Sequence, residues 1–139
     1  MNAVDVLIKY WGHTSFRLKQ EEIINSVIAK KDTLALLPTG GGKSICYQVP
    51  ALLSEGICIV ISPLIALMND QVRFLKSKGI KSVAITSNMH FTEIDTALTN
   101  CIYGGIKFLY LSPEKLQNEL VQTRIKEMNV NLITVDEAH

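Results

Sequence analysis

Thr33-Leu34-Ala35-Leu36-Leu37-Pro38-Thr39-Gly40-Gly41-Gly42-Lys43-Ser44-Ile45-Cys46-Tyr47-Gln48 is the stretch that decides the fold. An apolar run, a glycine loop and a second apolar run predict strand, turn and helix in that order. Three successive glycines reach backbone angles closed to other residues, so consecutive N–H groups can turn inward around an anion at a helix N-terminus. The loop Thr39, Gly40, Gly41, Gly42, Lys43 and Ser44 then reads as a cradle for a nucleoside triphosphate. Lys43 reaches the β/γ-phosphates, and the Ser44 hydroxyl ligates the Mg²⁺ that bridges them. The pattern G-x-x-x-x-G-K-[ST] has a glycine where this chain has Leu37. A glycine turn beside a surface lysine therefore stays open on this stretch alone.

A second stretch bears on that choice. Val130-Asn131-Leu132-Ile133-Thr134-Val135 is apolar and β-branched and runs into Asp136-Glu137, as a buried parallel strand ending in carboxylates does. Two acids at a strand's C-terminal end suit a metal ion and a water.

Working outward, Val4 to Tyr10 predicts a short amphipathic helix stopped by Gly12, and Thr14 or Ser15 caps a second helix that carries Ile23, Ile24, Val27 and Ile28 and ends at Lys30-Lys31-Asp32. The helix after the glycine loop is interrupted near Pro50 by a kink or a new first turn. Strands are expected at 57–61, 82–86 and 106–111, with helices at 64–77, 92–102 and, after Ser112-Pro113, from Glu114 to Lys126. Such alternation predicts a parallel sheet with helices on both faces and ligands at the strands' C-terminal ends. His90 is expected on a loop surface.

With 139 residues, 47% of them hydrophobic, the chain holds one core. Its apolar runs are too short to span a bilayer, and no signal peptide is seen, so the expectation is a soluble cytoplasmic protein with no membrane partner. Cys46, Cys58 and Cys101 are odd in number and widely spaced, which argues against zinc and against a disulfide framework and leaves them as packing residues. A net charge of +1 gives no global attraction to nucleic acid. No repeat, low-complexity tract or linker is present.

Together, Trp11-Gly12-x-x-x-Phe16-Arg17-x-x-Gln20, Pro38 to Ser44 followed by Cys46-Tyr47-Gln48-x-Pro50-Ala51, Ser62-Pro63-Leu64-x-Ala66-Leu67-Met68-x-Asp70-Gln71, Tyr110-x-Ser112-Pro113-Glu114 and Asp136-Glu137-Ala138-His139 resemble the RecQ family of DNA helicases over almost the whole chain. DEAD-box RNA helicases would carry Asp-Glu-Ala-Asp and a Pro-Thr-Arg-Glu-Leu-Ala block instead. The resemblance implies a P-loop NTPase of RecA-like α/β fold, here truncated after the acid-bearing strand. Residues 1–31 would be an N-terminal helical segment for adenine recognition, and residues 32–139 an incomplete ATP-binding lobe. The implied full-length protein couples ATP hydrolysis to 3′ to 5′ movement on single-stranded and partly duplex DNA, and a second RecA-like lobe would follow.

The same resemblance assigns roles. Lys43, Asp136 and Glu137 are the catalytic set, with Asp136 and Ser44 at the Mg²⁺ and Glu137 polarising the attacking water. Gln20 would read adenine through a bidentate amide contact with Arg17 assisting, while Trp11 and His13 either cover the ring or pack locally. Ser62, Asp70, Gln71 and Ser112, taken to sit on or just after strand ends, would face DNA; for Ser112 a helix cap is an equal reading. His139 would couple nucleotide state to DNA. The alternatives are a P-loop kinase or transport ATPase, and a non-catalytic nucleotide- or DNA-binding fragment. A further strand expected beyond His139 would fill the sheet between 34–37 and 131–135, so residues 1–139 alone are expected to be marginally stable or unfolded and unable to unwind DNA.

Overall fold

The computed structural model describes residues 2–16, 20–28 and 44–135. The chain divides into two compact units, Met1–Glu55 and Gly56–His139. The strand expected at 33–37, the glycine loop up to Lys43, the helix end at Lys30-Lys31-Asp32, and residues 136–139 lie outside the described residues, as does Arg17.

The first unit is helical. Helix α1 (Ala3–Trp11) begins at Asn2, whose side chain accepts from the Asp5 N–H while the Asp5 carboxylate accepts from the Asn2 N–H, at 2.9 and 3.0 Å. It ends at Gly12, whose φ of +74° is the left-handed cap that glycine adopts without a Cβ clash. Helices α2 (Gln20–Ile28) and α3 (Ile45–Leu53) follow, and α3 packs against both α1 and α2. Val6, Ile24 and Val49 form the buried centre, flanked by Tyr10, Trp11 and Phe16. Helix α3 continues through Pro50, so no new helix begins there. Six consecutive residues, Cys46 to Ala51, are buried, and their burial holds the helix together across the one hydrogen bond that Pro50 cannot donate.

The second unit is a four-stranded sheet of β1 (Ile57–Ile61), β2 (Ser82–Ile85), β3 (Phe108–Leu111) and β4 (Val130–Val135), all parallel, in the order β2-β3-β1-β4. Helix α4 (Ile65–Ser77) links β1 to β2, α5 (Phe91–Tyr103) links β2 to β3, and α6 (Pro113–Leu116) with α7 (Glu119–Lys126) links β3 to β4. The path steps outward from β1 to β2 and then reverses. Because such connections are right-handed, the reversal places α4 on one face and α5 with α7 on the other. The packing agrees: Ile57, Ile59, Ile61, Leu109 and Leu111 share a cluster with Ile94, Leu98 and Cys101 of α5 and Val121 of α7. Helix α4 packs on β2 and β3. On the other face, Arg124 ties α7 to α5 by pairing with Asp95 and donating to Thr99 Oγ1 at 3.1 Å.

Every residue of β1 is buried, as a central strand covered on both sides requires. Gly56 leads into it with φ +102°, and a Cβ there would lie 2.2 Å from the Asn129 carbonyl oxygen. That carbonyl accepts from the Ile57 N–H at 2.8 Å, next to the bulge where Asn131 is inserted between the pairs Ile57–Val130 and Cys58–Leu132. On β4, Ile133 and Val135 are exposed. The single helix expected from Glu114 to Lys126 is two helices. Asn118 breaks it, its side chain accepting from the N–H groups of Leu120 and Val121 at 2.9 and 3.3 Å.

Candidate functional site

In a parallel sheet all strands deliver their next residue to the same edge. Ile61 pairs with Leu111, and Leu111 with Ile85, so Ser62, Ser112 and Thr86 stand in a row there, in the order Thr86, Ser112, Ser62. The Ser62 N–H donates to the Leu111 carbonyl at 2.9 Å, which locks the neighbouring strand ends together. All three hydroxyl residues are buried, from 1% exposed at Ser62 to 7% at Ser112. Each works locally. Ser62 Oγ accepts from the Leu64 N–H, Ser112 Oγ caps α6 by accepting from the Lys115 N–H, both at 3.3 Å, and Thr86 Oγ1 bonds Asn88 Oδ1. Capping uses an acceptor lone pair, so the O–H donors of Ser62 and Ser112 are not consumed by it. The cap reading of Ser112 is what the structure shows.

Thr86 was missed in the sequence. Its signal was its place, since it is the first polar residue after Val83-Ala84-Ile85, just as Ser62 follows Ile61 and Ser112 follows Leu111. Asp70 and Gln71 are not at a strand end. Both lie inside α4, where Asp70 is exposed and pairs with Arg73 at 3.1 Å along the same helix face. That pairing reflects helical i,i+3 adjacency. His90 is exposed, as expected, and directly precedes α5, with its N–H donating to the Glu93 carboxylate at 3.3 Å.

Within the first unit, Gln20 is the first residue of α2 and is only 2% exposed, so it is not an ordinary solvated glutamine. Trp11 packs against the helical core with its ring edge-on to Tyr10 at 6.2 Å, while His13 is exposed. Ser44 stands directly before α3, and its carbonyl accepts from the Gln48 N–H at 2.9 Å. Its hydroxyl caps no N–H of that helix. The dipole of α3 therefore points its positive end at the residue that follows Lys43. Thr39 to Lys43, Asp136, Glu137 and His139 lie outside the described residues.

All three thiols are free and buried. Burial pushes Cys46 up to about 11 and Cys101 up to about 12. Cys58 also rises to about 12, through burial, against lowering by a Thr134 hydrogen bond and the charge of Lys107. Among the described residues no group of three or more His, Cys, Asp or Glu side chains is placed to hold a metal ion. Among them, too, no helix is long and apolar enough to cross a membrane.

Parallel strands, crossing helices on both faces and polar residues gathered at the strands' C-terminal ends define an α/β protein of the class that takes its ligands at that edge. Residues 17–139 match the DEAD/DEAH box helicase family, and the chain belongs to that family. It is 44% identical over 133 residues to the probable ATP-dependent DNA helicase RecS of Bacillus subtilis, covering 96% of this chain and 27% of that protein. With the ATP-dependent DNA helicase RecQ of Pasteurella multocida the identity is 44% over 137 residues, covering 99% and 22%. With the ATP-dependent helicase wrn-1 of Caenorhabditis elegans it is 40% over 139 residues, covering 99% and 13%. The chain thus spans less than a third of the length of these curated relatives.

Proposed function

We propose that this chain is the ATP-binding part of a RecQ-like motor that couples ATP hydrolysis to 3′ to 5′ unwinding of DNA. The observation that carries the reading is identity of 40–44% across nearly the whole chain with proteins named as ATP-dependent DNA helicases. Two features support it. Ser44 opens a nine-residue helix with its hydroxyl outside the cap, which fits a Mg²⁺ ligand at a phosphate loop. Val135 pairs with Ile61, so the chain enters Asp136-Glu137 from the strand beside Ser62.

Bound ATP with Mg²⁺ supplies the transferable γ-phosphoryl group. In this reading Lys43 and the loop N–H groups hold the phosphates and balance charge that builds during transfer, and Ser44 and Asp136 hold the metal. Glu137 orients the attacking water, and Gln20 grips adenine from the start of α2. Phosphoryl transfer asks a protein for positioning and charge stabilisation more than for covalent chemistry. The DNA strand lies along the sheet edge, a second RecA-like lobe completes the motor, and His139 relays nucleotide state to the DNA.

The test is turnover by the full-length protein with and without single-stranded DNA. Wild type is expected to hydrolyse ATP faster when DNA is added. Lys43→Ala is expected to abolish hydrolysis with an unchanged circular-dichroism spectrum, and Glu137→Gln to bind ATP without turnover. Hydrolysis indifferent to DNA would favour a kinase or transport ATPase, and wild-type turnover by folded Lys43→Ala would remove the phosphate-loop assignment.

A further inference from the structure

Helix α5 carries an exposed aromatic side chain at each end, Phe91 at 68% exposure and Tyr103 at 82%. About 18 Å of helix separates them at 1.5 Å per residue. Phe91 belongs to the end of the helix that meets the sheet edge bearing Thr86, Ser112 and Ser62. Tyr103 belongs to the opposite end, beside the Gly104 carbonyl that accepts from Lys81 Nζ.

The segment that presents Phe91 is a closed turn. Thr86 leaves β2 buried, its hydroxyl bonds Asn88, and its carbonyl accepts from the Met89 N–H at 3.3 Å. The His90 N–H donates to Glu93, and the His90 carbonyl accepts from the Ile94 N–H at 3.0 Å, which fixes the first turn of α5 directly beneath Phe91. Ser87, Asn88, His90 and Phe91 are all exposed. The ring is thus held out beside a turn pinned by the bonds of Thr86, Met89 and His90, next to short polar side chains able to meet phosphate oxygens.

Resting on the DNA-helicase reading above, we propose that Phe91 is a base-stacking platform for single-stranded DNA at the sheet edge, adjoining Ser87 and Asn88. Every nucleobase has a π-face, so a lone exposed ring gives grip without reading sequence, as a motor that moves along arbitrary DNA requires. Ser87 and Asn88 then meet the backbone.

The experiment measures equilibrium binding of a fluorescent oligothymidylate to the full-length protein over a range of salt concentrations. Phe91→Ala is expected to weaken binding roughly 5- to 140-fold, the range that loss of one stacked base gives. The dependence of affinity on salt should not change, because no charged contact is removed. Phe91→Tyr should restore binding and Tyr103→Ala should leave it at the wild-type level. Wild-type binding by Phe91→Ala overturns the proposal. So does an altered salt dependence, a fall in melting temperature that Phe91→Tyr reverses without restoring DNA binding, or an equal loss in Tyr103→Ala. If wild type itself fails to bind the oligonucleotide while hydrolysing ATP, the DNA-helicase reading falls first and the Phe91 proposal with it.

Discussion

In the proposed reading, the single side chain of Gln20 chooses the nucleotide. Adenine offers a side-chain amide the complementary pair of a donor at N6 and an acceptor at N7. Gln20→Ala should therefore weaken ATP more than GTP, by roughly 1–3 kcal/mol on the scale of bidentate base contacts. Competition binding checks it, and equal losses for both nucleotides would return Gln20 to a packing role. Gly56 gives a prediction of a different kind. With φ +102° and a Cβ that would sit 2.2 Å from a backbone oxygen, Gly56→Ala should destabilise the sheet unit by at least about 1–3 kcal/mol, seen as a lower urea midpoint at unchanged slope. Gln20 stands out in the sequence only through its motif, and its burial at the start of α2 is what the structure adds. Thr86 and Phe91 do not stand out there, because their meaning comes from strand register and exposure, and neither is written in local sequence.

Among the elements, β1 and β4 were legible to the residue, since a short β-branched run bounded by turn residues has one period to offer. The break at Asn118 was hidden. The apolar positions Leu116, Leu120 and Val121 keep helical spacing across it, so periodicity continues while the backbone does not. Asn118→Ala should cost about 1 kcal/mol through the lost cap of α7, and Asn118→Gly only a few tenths. Thermal denaturation of both variants checks the ranking, and equal melting points for wild type and Asn118→Ala would deny the cap any energetic role. At Pro50 the helix continues where a new first turn was one expectation. Proline is a strong local stop, but the buried face from Cys46 to Ala51 outweighs one missing hydrogen bond.

For the molecule as a whole, alternation of strands and helices was enough to predict a parallel α/β fold, whereas strand order was not, because it depends on which way each crossover turns. The three buried thiols give a prediction that reaches both units. Their ordinary value is 9.0, and burial raises them to about 11 or 12. The folded state therefore keeps these protons over a range in which the unfolded chain has lost them. The stability they contribute is intact below about pH 9 and falls as pH rises through the folded values. The urea midpoint should drop between about pH 9 and 12, and at pH 7.5 the native protein should leave all three thiols unmodified by a disulfide reagent that labels three after unfolding. Rapid native labelling would contradict the burial.

The reversal of strand order also governs the order of events on the ribosome. Strand β1 is the first of the four to be made, yet both of its partners come later than β2, and Val130 follows Ile61 by 69 residues. At about 5–20 residues per second, Ile57-Cys58-Ile59-Val60-Ile61 waits roughly 3–14 s for its second neighbour. Until β3 has been made it is a five-residue, uncharged segment with both hydrogen-bonding edges open, and one edge stays open until β4 follows, which is the kind of segment that pairs with other chains. Nascent chains arrested between residues 61 and 130 are therefore expected to be the ones that holding chaperones capture, and release should begin once β4 has emerged.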